Sequence, residues 1–255
     1  MPEHSSWLTL LLAHFQRTLA HNAEGIGHTL LDKHPATWRS FEPLATAVLI
    51  ALLLILVSLR VRARLSKTEE ALIPEDRLTL RTFMEIFLGY FYDLAKNMMG
   101  PERAKKYFPL VGGSALFVFF SNVMALLPGT PVATSSLSIT MGCALVVFVL
   151  FNLYGLIENG WGYIKHLAGP AWYLAPLVFL IEMISLTVRP ITLAVRLCIN
   201  MSVDHLLLSI VLGLVAIVIP LPLMLLGCLI VVVQTLVFAM LTCIYIALAT
   251  EHEAH

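Results

Sequence analysis

Residues 190–220, PITLAVRLCINMSVDHLLLSIVLGLVAIVIP, form a 31-residue stretch whose only formal charges are Arg196 and Asp204, with His205 beside them. Upstream, the apolar character reaches back to Trp172. That makes a run of about 49 residues, which adds Glu182 and Arg189 and carries Pro176 and Pro190 near its start. Pro220-Leu221-Pro222 then breaks the chain, and residues 221–250 continue for about 30 residues without a charge. Runs this long exceed what the core of a soluble domain needs and read as membrane-embedded helix. At 1.5 Å per residue the last run would be about 45 Å long, against a hydrocarbon core of about 30 Å. Residues 172–250 are therefore expected to form two long, strongly tilted, antiparallel helices.

The rest of the chain fits this setting. The 255 residues are 59% hydrophobic and 13% charged, where a soluble domain has about 45–50% and about 25%. Residues 108–128 and 137–157 are each about 21 residues without a formal charge, and the Pro- and Gly-containing linker between them predicts a helical hairpin over 108–157. Residues 43–59 make a first span near the lower length limit. In residues 79–99, Leu80, Phe83, Met84, Phe87, Phe91 and Leu94 recur at helical spacing, which predicts an amphipathic helix on the membrane surface. The fold class is thus all-α, with about five membrane-embedded helices in a single membrane domain over 1–255, preceded by an arm at 1–42 in which a short helix from Trp7 to about Leu19 is expected.

Arg60, Arg62, Arg64, Lys67, Arg77 and Arg81 cluster after the first span, which places that loop in the cytoplasm. The N-terminus is then outside and the C-terminus cytoplasmic. Met1 to Ser6 carries no positive charge, so no secretory signal is expected. A net charge of zero implies no attraction to nucleic acid. The four cysteines have no metal-ligand spacing, and no Gly-rich nucleotide loop occurs, so no metal or cofactor is expected.

A charge at mid-bilayer costs about 2.5–3.5 kcal/mol on insertion scales. Snorkelling from a helix end accounts for Glu182 and Arg189 but not for Arg196, which has long apolar sequence on both sides. Glu182, Arg189 and Arg196 are seven apart, and Asn200 and Asp204 follow at steps of four, so they share one helix face. The final run carries one strongly polar mid-run side chain, Gln234. Such groups either hydrogen-bond each other to hold two helices together or line a polar path for ions.

The stretch RPITLAVRLCINMSVDH followed by VVVQTLVFAMLTCIYIALATEHE resembles the signature region of the a subunit of F-type ATP synthases, with an Arg-Leu-x-x-Asn core at Arg196, Leu197 and Asn200 and a Gln at Gln234. Glu182, the Arg189-Pro190 pair and SNVMALLPG, which contains Asn122, also match, and the resemblance covers about residues 40–252. It implies a stator that forms two proton half-channels against a rotating c-ring, with Arg196 separating them and driving deprotonation of the ring carboxylate. It assigns Asn200, Asp204, His205, Gln234 and Asn122 to the external half-channel and Glu182 and Thr192 to the internal one. Arg189 and Gly227 have supporting roles. The implied partners are the c-ring, peripheral-stalk b subunits, the remaining complex and the bilayer. The implied location is an energy-transducing membrane, the bacterial inner membrane.

The chain departs from the family pattern in places. Many members carry Gly then Glu where Asp204 and His205 stand, and a His where Gly227 stands. An acid gained on one helix and a titratable group absent from the other imply that Asp204 faces Gly227. Ser136 and Ser138 replace acidic or Asn positions, and Ala125 replaces an Asp of some members. Packing and backbone hydrogen bonding remain open for Asn122, Thr192 and Asn200, and a local ion pair for Asp204 and His205. An independent ion transporter or channel is the competing function. Such proteins often show internal repeats and broken mid-membrane helices, neither of which is legible here.

Overall fold

A computed structural model describes residues 42–65, 79–126, 133–160, 175–214 and 220–250. The arm before Glu42, with its expected short helix, and Lys67 and Arg77 of the basic loop lie outside the described residues. The described residues form six α-helices and one short 3-10 turn, with no strand among them. Five of the helices are long and apolar enough to cross a membrane.

Helix α1, Glu42–Leu65, is longer than the expected span. It carries Arg60 and Arg62 on its last turns rather than in a loop. Arg is a good helix former, and nothing between Leu59 and Leu65 breaks the backbone. Helix α2, Leu80–Met99, starts at Thr79, whose hydroxyl accepts the Thr82 N–H at 3.4 Å. It stops at Gly100, whose φ of 83° lies in the left-handed region that only glycine adopts at low cost. Pro101 follows as the first residue of α3, Pro101–Ala125, where its fixed φ suits a helix start. The expected span at 108–128 thus begins a full two turns earlier, and Arg103, Lys105 and Lys106 are helical.

This tight reversal lays α2 antiparallel along α3. Phe83 meets Phe119 and Phe120, Phe87 meets Phe119, and Tyr92 meets Phe108 at 5.2 Å between ring centroids. A side chain at Gly112 would come within 3.1 Å of the Phe108 ring and 3.4 Å of Leu88, so the glycine allows the close approach. The amphipathic pattern of α2 is real, but Met84, Phe87 and Phe91 are spent on α3 and the last helix, while Leu80 and Ile86 stay uncovered.

The 3-10 turn Ala133–Ser135 leads into α4, Leu137–Asn159. Helix α5, Ala175–Leu214, runs 40 residues with Pro190 inside it, and α6, Pro220–Ala249, runs 30. At 1.5 Å per residue these are about 60 Å and about 45 Å long. Phe91, Tyr107, Val111, Phe151, Leu193, Leu197, Phe238 and Ile246 form one core that joins α2 to α6. At one end, Lys106 and Tyr107 both donate to Glu158, and the Asn159 amide donates to the Ala249 carbonyl at 3.2 Å. These contacts tie the start of α3 and the ends of α4 and α6 together. Many other large apolar side chains of α1, α4, α5 and α6 are exposed, as on a surface that faces lipid.

Candidate functional site

The site lies along the seam between α5 and α6. Three cross-helix contacts set its register: Asp204 with Gly227, Asn200 with Gln234, and Arg189 with Tyr245. Numbers rise on one helix as they fall on the other, so the pair is antiparallel, as expected for residues 172–250.

At the Asp204 end the contacts are close and partly buried. The Asn200 amide donates to Gln234 Oε1 at 2.9 Å, and Gln234 itself is only 4% exposed. A Cβ built on Gly227 would lie 2.8 Å from Asp204 Oδ2 and 2.7 Å from Leu126 Cδ2. Such distances are below any real contact, so the Asp204 carboxylate occupies the space that a side chain at 227 would fill. Asn122 is fully buried on α3, where its carbonyl accepts the Thr134 hydroxyl at 3.1 Å. The Ser135 carbonyl accepts from Cys198 Sγ at 3.0 Å and from the Ser202 hydroxyl at 3.3 Å, which fastens the 3-10 turn onto α5. Ser121 Oγ, Asn122 Nδ2 and Gln234 Nε2 are buried with no hydrogen-bond partner among the described residues. Buried polar atoms are normally satisfied, so this region favours bound water. Ala125 packs against Met201 and Val231 in a small apolar cluster beside it. Ser136 stands at the N-cap position of α4 without a side-chain capping bond, and Ser138 is exposed. His205 follows Asp204 on α5, with its side chain outside the described groups.

The other end is built from charge and aromatic surface. Arg189 Nη2 lies 3.6 Å from Glu182 Oε1, a loose ion pair rather than a hydrogen bond. The same guanidinium stands over the Tyr245 ring, 5.6 Å from its centroid, within cation–π range. Tyr245 in turn packs on Phe151 of α4 at 5.7 Å.

Arg196 lies between the two ends and differs from every other charged group in the seam. It has no hydrogen bond or ion pair among the described residues, and its side chain is exposed. Val188, Thr192, Ile199, Val203, Leu206 and Ile210 are exposed with it at helical spacing, so the guanidinium sits in an uncovered apolar stripe. Leu193, Ala194, Leu197 and Met201, on the opposite side, are buried. Thr192 uses its hydroxyl on its own helix, donating to the Val188 carbonyl at 2.8 Å.

The structure thus brings Asn200, Gln234, Asp204 and Gly227 together, places Asn122 in the neighbouring polar region, and sets Glu182 with Arg189 at the far end. Sequence reasoning missed Tyr245, Ser121, Thr134 and Ser202. Tyr245 had a signal: it lies 11 residues after Gln234, three helical turns on the same face. The others are small hydroxyls whose importance depends on which helix they meet.

Comparison with protein families matches residues 44–247 to the ATP synthase A chain. The chain is 57% identical to the ATP synthase subunit a of Sorangium cellulosum (strain So ce56) over the full length of both. It is 40% identical to ATP synthase subunit a 1 of Syntrophotalea carbinolica over 98% of this chain and 97% of that one. It is also 42% identical to the ATP synthase subunit a of Sulfurihydrogenibium sp. (strain YO3AOP1), over 69% of this chain and 84% of that one.

Proposed function

The chain belongs to the ATP synthase A chain family, and from that premise we propose that it is the stator whose α5–α6 seam carries protons to and from a rotating c-ring. The observation that carries this reading is the exposed guanidinium of Arg196, unpartnered among the described residues, in an uncovered apolar stripe. A cation held among apolar groups is costly until an anion meets it. Among the described residues Arg196 has none, and on this reading the anion comes from a partner that covers the stripe.

That partner is a ring of subunits, each presenting one membrane carboxylate. Beside Arg196 the charged form of a passing carboxylate is favoured, and it gives up its proton. Arg suits this role because it stays protonated and forms forked bonds to carboxylates. The same charge opposes a direct leak of protons from one half-channel to the other. Asn200, Asp204, His205, Gln234 and Asn122 form the external half-channel, holding water and passing protons, and Ser121 and Thr134 add to it. Glu182 and Thr192 line the internal one.

A 40-residue helix fits a core of about 30 Å only when strongly inclined. Inclination brings both of its ends, and so both half-channels, toward opposite aqueous faces while Arg196 stays near the middle. The basic ends of α1 and α3 support a cytoplasmic C-terminus and an outward N-terminus. Peripheral-stalk b subunits and the bilayer cover the remaining outer faces. The competing transporter reading predicts a functional protein without a ring, which co-purification distinguishes.

The direct test is Arg196→Ala in the assembled complex. ATP-driven proton pumping into inverted vesicles is expected to vanish, and retained pumping removes Arg196 from this role.

A further inference from the structure

The α5 helix carries two guanidiniums on one line, Arg189 and Arg196, seven residues apart, which is about 10.5 Å along the axis. Among the described residues, only Arg196 of the two has no hydrogen bond or ion pair. Arg189 is paired with Glu182, stands over the Tyr245 ring, and is 25% exposed at its side chain. Tyr245 is itself braced by Phe151 from α4.

We propose that Tyr245 is a positioning residue that sequesters Arg189, so that the seam offers a passing carboxylate one free guanidinium instead of two. This rests on the reading of Arg196 given above. A second free guanidinium two turns away would be a second resting point for the ring carboxylate, off the place where the half-channels meet. The Glu182 pair cannot restrain Arg189 alone: at 3.6 Å it is loose, and Glu182 is 40% exposed. The Tyr245 ring face supplies the remaining restraint from the neighbouring helix. A cation–π contact needs the aromatic face and not the hydroxyl, so the role belongs to the ring.

The test uses the whole complex in inverted vesicles, with the amount of assembled ring and stator measured alongside ATP-driven pumping. Tyr245→Phe keeps the ring face and is expected to pump within about two-fold of the parent. Tyr245→Leu is expected to pump about five-fold more slowly, the factor that corresponds to about 1 kcal/mol. Adding Arg189→Gln to Tyr245→Leu is expected to recover most of the rate, because the competing cation is gone. If Tyr245→Leu fails to assemble, Tyr245→Met, whose flexible chain fills irregular gaps, takes its place in the same comparison. The proposal is overturned if Phe is as slow as Leu, if Leu pumps normally, or if the double variant is no faster than the single one. Arg196→Ala in the same vesicles separates the two ideas. A dead Arg196→Ala beside a normal Tyr245→Leu overturns the sequestering role alone, whereas a pumping Arg196→Ala overturns both.

Discussion

The two ends of the α5–α6 seam solve the problem of polar groups among apolar helices in different ways. At the Asp204 end the groups interlock across helices. An amide meets an amide at 2.9 Å, and a carboxylate fills a notch left by glycine. At the Arg189 end the groups are charged, partly exposed and held loosely by a 3.6 Å ion pair and an aromatic face. Close interlocking makes the first end sensitive to shape, since any change of volume is felt directly. Loose, partly exposed pairing makes the second end tolerant of shape and sensitive to charge, since such pairs contribute little each. Arg196 lies between the two and uses neither device, which leaves it open to a partner.

The comparison can be broken at three further points. The largest effect is expected at the notch. Asp204→Gly should impair proton flux, and Gly227→Asp or Gly227→His in that background should partly restore it. Gly227→Asp with Asp204 in place should be worse than either, because the two side chains claim one space. Contacting residues couple by about 0.5–3 kcal/mol, or about two-fold to about a hundred-fold in rate. A double-mutant cycle on pumping rates measures the coupling, and simple additivity would sink the shared notch.

A smaller effect is expected from Gln234→Leu. It removes the acceptor of the Asn200 amide, a hydrogen bond worth about 0.5–1.5 kcal/mol. Passive proton conduction should fall, while the amount of assembled complex stays near normal. A variant that conducts normally would mean that the amide pair only holds the helices together.

The smallest effect is expected from Thr192→Val, since that hydroxyl already bonds its own helix at 2.8 Å. Pumping should stay within about two-fold of the parent, a change of about 0.4 kcal/mol. A large loss would show that Thr192 releases its backbone bond to serve water in the internal half-channel.

Much of this was legible in the chain as written. The apolar runs marked the spans, and the 172–250 stretch announced two long antiparallel helices. The seven- and four-residue steps put Glu182, Arg189, Arg196, Asn200 and Asp204 on one line. The exchange of residue types at 204 and 227 pointed to the notch that the structure contains. The ends of the helices were less legible. The arginines after Leu59 read as a loop because a polar tail looks alike whether helical or not. The amphipathic pattern of 79–99 revealed an apolar face but not what covers it, and lipid and α3 are equally apolar.

Periodicity is a property of one helix, so the sequence determined what each helix exposes: its apolar length, its polar line, and the cost of Arg196. Contacts between helices depend on register and distance, which arise from packing the whole set. Only the tertiary structure could therefore decide that the Asp204 carboxylate comes close enough to fill the space of a side chain at 227. It alone placed Tyr245 under Arg189 and α2 along α3. It also left Arg196 without a hydrogen bond or ion pair among the described residues.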